Sequence, residues 1–572
     1  MTKVKMPWAE NTGGIPLYLD YFEGSLTDAL ERAVQNWPDY QALDFLNNTT
    51  TYAQLWNEVD ECARALKTLG VRPGDCVSVI LPNCPQAVIA FYAINMIGGI
   101  ASMIHPLAGE KEIETLLNTS HSVMAITFDQ IYPKFERIRD NTGVVNIILT
   151  SIKDMLNYHT KAAYMLVTGR KVPKVPDNAK VIFWKDFLKL AGACYSNYRV
   201  QRAGSDPAAI LYSGGTTGTT KGIVLTNFNL NALAAHIKAT HPNFLPGDRM
   251  LAALPLFHGF GLGVCIHAML YSGGCCVLVP RFTAKSTLKL MDKKLINFAA
   301  GVPTLFEAIL ELPNTERVEL SSLKGVFSGG DSLSIDLKKR FDEFLHAHWA
   351  AISVREGYGA TETVSACCLT PAHMAKEGSI GIPFPDTYIK IVKPDTDEEL
   401  PYGEIGEILI SGPAVMKEYI GNPEETARAL RLHEDGRTWL YTGDLGYMDE
   451  DGFLFFKGRS KRMIISSGYN IYPGQVENVL DAHEKVKASC VIGIPDPYKM
   501  HKAKAYVVLN EGVPEDQNTK AELIAYCRKN VSRYAVPAEI EFRKELPKTL
   551  IGKIDYRKLE REDEERRMAG DD

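Results

Sequence analysis

Apolar positions recur with two different spacings along the first hundred residues. Leu55, Val59, Cys62 and Leu66 lie three or four apart, the spacing of one helix face. The turn Arg72-Pro73-Gly74-Asp75 then opens into Val77-Ser78-Val79-Ile80-Leu81, which reads as a buried strand. Such alternation across residues 26–105 predicts a mainly parallel sheet covered on both faces. The run Val88 to Ile104 approaches membrane-spanning length. Asn95, Gly98 and Gly99 interrupt it and His105-Pro106 closes it, so a buried helix followed by a buried strand is expected. Near the other end, Val476–Leu480, Val491–Ile494 and Leu523–Val531 continue a helix, strand, helix pattern.

Composition narrows the classes. A chain of 572 residues has room for two or more domains. A net charge of −6 with no basic face argues against nucleic acid as a partner. Eleven cysteines without a C-x-x-C spacing read as buried thiols in a reducing cytoplasm, not as disulfides or zinc ligands. Met1 to Gly14 lacks the apolar core of a signal peptide. Between residues 151 and 180, Met155, Tyr158, Tyr164, Met165 and Leu166 sit among Lys153, Lys161, Arg170, Lys171 and Lys174. A surface insertion between two strands is favoured there over a segment lying on an anionic membrane. The expected location is therefore cytoplasmic, with peripheral contact at the inner membrane face left open.

Chemistry concentrates in glycine-rich loops. The strand-like Ala208-Ala209-Ile210-Leu211 leads into Tyr212-Ser213-Gly214-Gly215-Thr216-Thr217-Gly218-Thr219-Thr220-Lys221-Gly222. Glycines bring backbone N–H groups close to a ligand, hydroxyls add donors, and Lys221 adds a positive charge. That inventory suits a polyphosphate. It is neither a Walker A loop nor a Rossmann turn. Further on, His258 stands among Gly259, Gly261 and Gly263, small residues expected to leave room for a long substrate. In Glu356-Gly357-Tyr358-Gly359-Ala360-Thr361-Glu362, Tyr358 offers a flat face to a purine, Thr361 a hydroxyl, and Glu362 an oxygen suited to magnesium. Asp444, at the predicted end of a strand, is placed to accept hydrogen bonds from ribose hydroxyls. The acids Asp449, Glu450 and Asp451 before Gly452 read as a hairpin turn, because EF-hand spacing is absent. Glu560 to Asp572 reads as a charged helix fraying into solvent.

Taken in order, these stretches resemble the motifs of the adenylate-forming superfamily of acyl-CoA synthetases, luciferases and peptide synthetases. Its phosphate loop is usually Thr-Ser-Gly-Thr-Thr-Gly-x-Pro-Lys-Gly. Gly214 at the second position is similar to bacterial medium- and long-chain fatty-acyl-CoA ligases, and Thr220 replaces the proline. The resemblance implies an α/β fold: a large N-terminal domain of layered, mainly parallel sheets over residues 1–459, binding ATP and acyl group. A small mobile α+β domain over residues 460–572 would follow, hinged at Lys461. It implies that His258 lines the acyl pocket, that Gly329 and Gly330 pack on adenine, and that Tyr358, Gly359, Thr361 and Glu362 meet ATP and Mg2+. Asp444 and Arg459 would hold the ribose, Gly468 would approach the pantetheine arm, and Lys553 would contact carboxylate, ribose and phosphate. Ser332 within Gly-Gly-Asp-Ser-Leu mimics a carrier-protein attachment site, but it follows a strand-like run and is rejected.

The reaction implied is attack of a carboxylate on the α-phosphorus of ATP, then transfer of the acyl group to coenzyme A. Ligation of an aromatic acid of the 4-coumarate type, loading of a carrier protein, and a non-catalytic nucleotide- or acyl-binding role stay open, as does oligomerisation.

Overall fold

The computed structural model describes residues 4–156, 161, 164, 172–176, 180–214, 220–466, 469–496, 498–549 and 553–569. Gly215, Thr216, Thr217, Gly218 and Gly468, and much of the basic segment 157–179, lie outside them.

Helical spacing becomes helix where expected. Tyr52–Thr68 is started by Thr51, whose hydroxyl accepts from Gln54 N, while the Gln54 side chain returns to Thr51 N. Leu55, Val59, Cys62 and Leu66 are fully buried along its inner face. The strand Cys76–Ile80 follows, then Pro85–Met96, a helix buried on every side, then the strand Ile100–Met103. Between the last two, Gly98 adopts φ +82°, a conformation that ends the helix and that glycine takes without strain.

Four sheets are formed by the described residues. An eight-stranded sheet runs parallel from Pro207–Gly214 through Ile100–Met103, Cys76–Ile80, Met124–Phe128 and Asn146–Thr150 to Ile182–Phe183. Its other edge turns antiparallel through Thr220–Thr226 and Glu418–Tyr419. Because Asn146–Thr150 and Ile182–Phe183 pair directly, the basic segment is an insertion between two neighbouring strands. A nine-stranded sheet includes Arg249–Ala252, Phe298–Gly301, Gly325–Ser328 and Val354–Tyr358, all parallel. A smaller antiparallel sheet carries Thr438–Met448 and Leu454–Arg459, joined by the tight turn at Asp449–Gly452. One continuous apolar core joins these three sheets.

From Ile464 onward the chain builds a smaller domain around its own sheet. Val486–Asp496 and Met500–Leu509 form its long hairpin, with Glu539–Phe542 parallel beside them. Strand alternation divides the side chains between two faces. Val491, Ala505 and Val507 meet the helices Pro473–Asp481 and Gln517–Asn530, while Cys490, Ile492 and Tyr506 meet Leu546 and Leu559. The fold is thus a large α/β domain followed by a small α+β one.

Two expectations about the chain's surface change. The terminal helix, Tyr556–Ala569, does not fray along its described length. Leu559 is fully buried, and Asp563 is buried 2.6 Å from Lys504 Nζ and 2.9 Å from the Tyr506 hydroxyl. A charged residue there satisfies a buried cation, which a reading of charge density alone could not reveal. No described helix is long and apolar enough to cross a membrane. All eleven cysteines are free thiols, ten of them buried.

Candidate active site

A cavity of about 1150 Å3 opens between the sheets of the large domain and the inner face of the small one. Ser213, Lys221, His258, Gly329, Gly330, Tyr358, Gly359, Thr361, Glu362, Asp444, Arg459, Lys461 and Lys553 all line it. Gly214 ends the strand that delivers the phosphate loop.

Parallel strands deliver their C-terminal ends to this cavity, the usual place for a ligand in such sheets. Gly329-Gly330 leaves Gly325–Ser328, and Gly330 takes φ +81°. Tyr358 ends Val354–Tyr358 and is nearly buried, its hydroxyl donating to Asp444 Oδ2 at 2.8 Å. Gly359 has no alternative, since a Cβ there would lie 2.2 Å from the Ser365 carbonyl oxygen. The turn Thr361–Thr363 then presents Glu362, whose Oε1 accepts from the Tyr419 hydroxyl at 2.8 Å. Val364 closes this turn at φ +61°, a strained conformation for a β-branched residue, costing about 1–3 kcal/mol.

That strain is held in place by Gly259. A Cβ on Gly259 would sit 1.5 Å from the Val364 carbonyl oxygen, one on Gly261 2.1 Å from Pro255 O, and one on Gly263 2.7 Å from Leu233 Cδ2. These glycines therefore admit protein backbone and side chains, not a long substrate, contrary to the expectation from sequence. Nor is the region an open loop. Phe260–His267 forms a π-helix, with Leu262 to His267 buried, and Phe260 N donates to His258 Nδ1 at 3.2 Å. Desolvation, with Lys553 nearby, pushes the His258 imidazole down to about 4, so it is neutral around pH 7.

Asp444 lies inside Thr438–Met448, not at its end, beside an irregularity in pairing between Leu445 and Gly446. Gly443, at φ +70°, supplies the bend that aims it inward. Asp444 is 5% exposed; burial raises its carboxyl, and Arg459, with Nε 3.3 Å from Oδ1, opposes that. Its Oδ1 is buried yet accepts no hydrogen bond, an unfilled capacity that a ligand hydroxyl would satisfy.

The small domain contributes Lys553, whose Cε would lie 3.8 Å from a Cβ on Gly330. Desolvation lowers its pKa, and the Asp331 carboxylate partly offsets this. Three residues of this machinery carry no signal in the sequence: Asp331 beside Lys553, Tyr419 on Glu362, and Glu425, paired with Lys221 at 2.6 Å. Ser332 is exposed beside the nine-stranded sheet, outside any small helical unit.

The other wall is apolar. Phe244 stacks on Phe298 at 5.7 Å and Phe298 on Phe327 at 6.4 Å, with Met250, Val264 and Met269 completing the lining.

A polar end lined by Lys221, Thr361, Glu362, Asp444 and Arg459 and an apolar end in one cavity, with a lysine supplied by a second domain, fit an enzyme that activates acids by adenylation. The chain belongs to the AMP-binding enzyme family, whose model matches residues 30–420; the AMP-binding enzyme C-terminal domain matches residues 475–553. It is 36% identical to a long-chain-fatty-acid–CoA ligase of Bacillus subtilis over 98% of both chains. The Haemophilus influenzae long-chain-fatty-acid–CoA ligase is 33% identical over 94% of this chain and 95% of its own. Among solved structures, the anthranilate CoA ligase AuaEII in complex with anthranoyl-AMP is similar at a TM-score of 0.79 and 27% identity, over 95% of this chain and 97% of that one.

Proposed function

We propose that the protein activates a medium- to long-chain fatty acid with ATP and transfers the acyl group to coenzyme A. The observation that carries the substrate class is the aromatic and methionine wall of the cavity, Phe244, Met250, Met269, Phe298 and Phe327. An alkyl chain gains about 0.8 kcal/mol per methylene buried there. The kinship with long-chain-fatty-acid–CoA ligases supports the same reading.

In the first half-reaction a carboxylate oxygen bonds to the α-phosphorus of ATP, and the bond from that phosphorus to the bridging oxygen breaks as pyrophosphate leaves. Both reactants are anionic, so the residues serve mainly to hold charge. Lys553 faces the developing charge, Lys221 and Thr361 face the phosphates, and Asp444 and Arg459 hold the ribose on Tyr358. Glu362 is the residue that would hold Mg2+, which takes few carboxylates together with substrate phosphates. When bound, that ion neutralises phosphate charge. His258, being neutral, shapes the junction between acyl and nucleotide ends without adding charge.

In the second half-reaction the thiolate of coenzyme A attacks the acyl carbon and AMP leaves. The small domain, taken as residues 460–572, turns about Lys461, withdrawing Lys553 and bringing in the segment around Gly468. One cavity then serves two chemistries. The reading places the enzyme in the cytoplasm, meeting a membrane at its surface only to collect substrate.

The test is CoA-dependent pyrophosphate release across acids from acetate to palmitate, with coumarate and benzoate included. A CoA-dependent maximum in the fatty series is expected. A response to aromatic acids alone would overturn the substrate class, and silence with every acid would overturn the activity.

A further inference from the structure

Lys221, the cation of the phosphate loop, already has an anion. Its ammonium lies 2.6 Å from Glu425 Oε2 and 4.7 Å from the centre of the Tyr419 ring. The other Glu425 oxygen accepts from Arg428 Nη1 at 2.7 Å. Glu425 sits on the helix Pro423–Ala429, where the Asn422 side chain caps it by accepting from Glu425 N at 3.1 Å. Lys221 and Glu425 are about three-quarters shielded, at 23% and 27% side-chain exposure. The hydrogen bond from Lys221 holds the Glu425 carboxyl below its ordinary value.

The segment bearing this carboxylate is tied to the metal-side glutamate. Met416 N donates to the Glu362 carbonyl oxygen at 2.7 Å, and the Tyr419 hydroxyl reaches Glu362 Oε1. Tyr419 N donates to Thr426 Oγ1 at 3.0 Å, fixing the helix to the strand that pairs with Ile223 and Val224. Glu425 is thereby aimed at Lys221 by structure on both sides.

We propose that Glu425 is a positioning residue that occupies Lys221 in place of nucleotide phosphate and competes with phosphate for it. The proposal rests on the reading that Lys221 meets the phosphates of ATP. A phosphate reaching Lys221 must displace Glu425 or share the ammonium with it, and in either case a carboxylate charge stands beside the phosphate chain. The carboxylate therefore weakens binding of ATP and of pyrophosphate. By the same repulsion it returns Lys221 to its resting partner when pyrophosphate leaves. AMP lacks the β- and γ-phosphates and should be nearly indifferent.

Glu425→Gln keeps the shape and removes the charge; Glu425→Ala removes both. Titration calorimetry of the full chain with magnesium pyrophosphate, MgATP and AMP, each without fatty acid, reads the effect. Both variants should bind pyrophosphate and ATP roughly 2- to 10-fold more tightly, the range of a partly exposed ion pair. AMP affinity should move less than twofold. KM for ATP should fall without a rise in kcat, and higher salt should shrink the difference. A purely structural role for Glu425 would lower Tm without separating pyrophosphate from AMP. Unchanged or weaker pyrophosphate binding by both variants, with wild type binding ATP, overturns this proposal alone. Failure of wild type and variants alike to bind ATP overturns the ligase reading and this one with it.

Discussion

Replacing Lys553 by alanine should separate the two half-reactions. Lys553 projects over the Gly330 turn into the space bounded by Asp331, Asp444 and Arg459. A charged donor aimed at developing charge in an enclosed site is worth about 10²–10³ in rate, or roughly 2.7–4 kcal/mol. Adenylation, followed by fatty-acid-dependent exchange of labelled pyrophosphate into ATP, should therefore fall about 10²–10³-fold. Thioester formation from supplied acyl-AMP and coenzyme A should stay within a few-fold, since the proposed turn of the small domain withdraws Lys553 from that step. The fold should not suffer. A lysine with lowered pKa is a charge the folded state holds at a cost, present below its folded pKa and relieved as pH rises through it. Tm at neutral pH should hold or rise. In the wild type, adenylation should decline on the alkaline side at a lower pH than free lysine titrates, and Lys553→Arg should remove that limb. Equal loss of both half-reactions, or intact pyrophosphate exchange, would refute the reasoning.

Two further substitutions probe the walls and the frame. A Cβ on Gly274 would lie 2.5 Å from Met269 Cε and 3.1 Å from Phe244 Cζ, two residues lining the apolar wall. Gly274→Ala should push them inward at a cost of about 1–3 kcal/mol. The chain-length optimum, read from kcat/KM across saturated acids, should shift to shorter acids; lost stability with an unmoved profile would count against the assigned wall. Asp563→Ala strips Lys504, 6% exposed, of its closest anion, while Glu541 stays at 3.1 Å. A loss of about 3 kcal/mol is expected, the low end for breaking a buried pair, seen as a lower midpoint for the small domain in thermal unfolding. Burial works to raise the Asp563 carboxyl, but Lys504, Arg567 and Tyr506 hold it below its ordinary value. Its stabilisation is therefore complete above that ordinary value and fades as pH falls through the lower one. A small domain indifferent to acid would contradict this.

Much of this architecture is legible from local pattern. The helix through Leu55 and Leu66, the buried helix and strand of residues 85–103, and the strand before the phosphate loop all follow from periodicity over a few residues. Asp444, Tyr358 and Lys553 stand out because each directly follows a glycine, in a recognisable order along the chain. What escapes is whatever depends on a distant neighbour. Gly259 looks like spare room until Val364, more than a hundred residues on, packs its carbonyl there. Tyr419 and Glu425 look like ordinary strand and helix residues until folding brings them to Glu362 and Lys221. Charge in the terminal helix reads as solvated because its partner, Lys504, lies on a strand of another hairpin.

The anchoring of Lys553 has a further consequence. Thr549 N donates to Lys553 O at 2.7 Å and Asp555 N to Pro547 O at 2.8 Å, while Leu546 before the loop and Leu559 after it share one apolar cluster of the small domain. The lysine is thus riveted to its carrier at both ends. On the proposed turn about Lys461 it would therefore leave with the small domain as a whole. If the small domain turns as proposed, one solid lever would set the order of the two half-reactions, and damage far along it, on the terminal helix, would be felt first as a fault in adenylation.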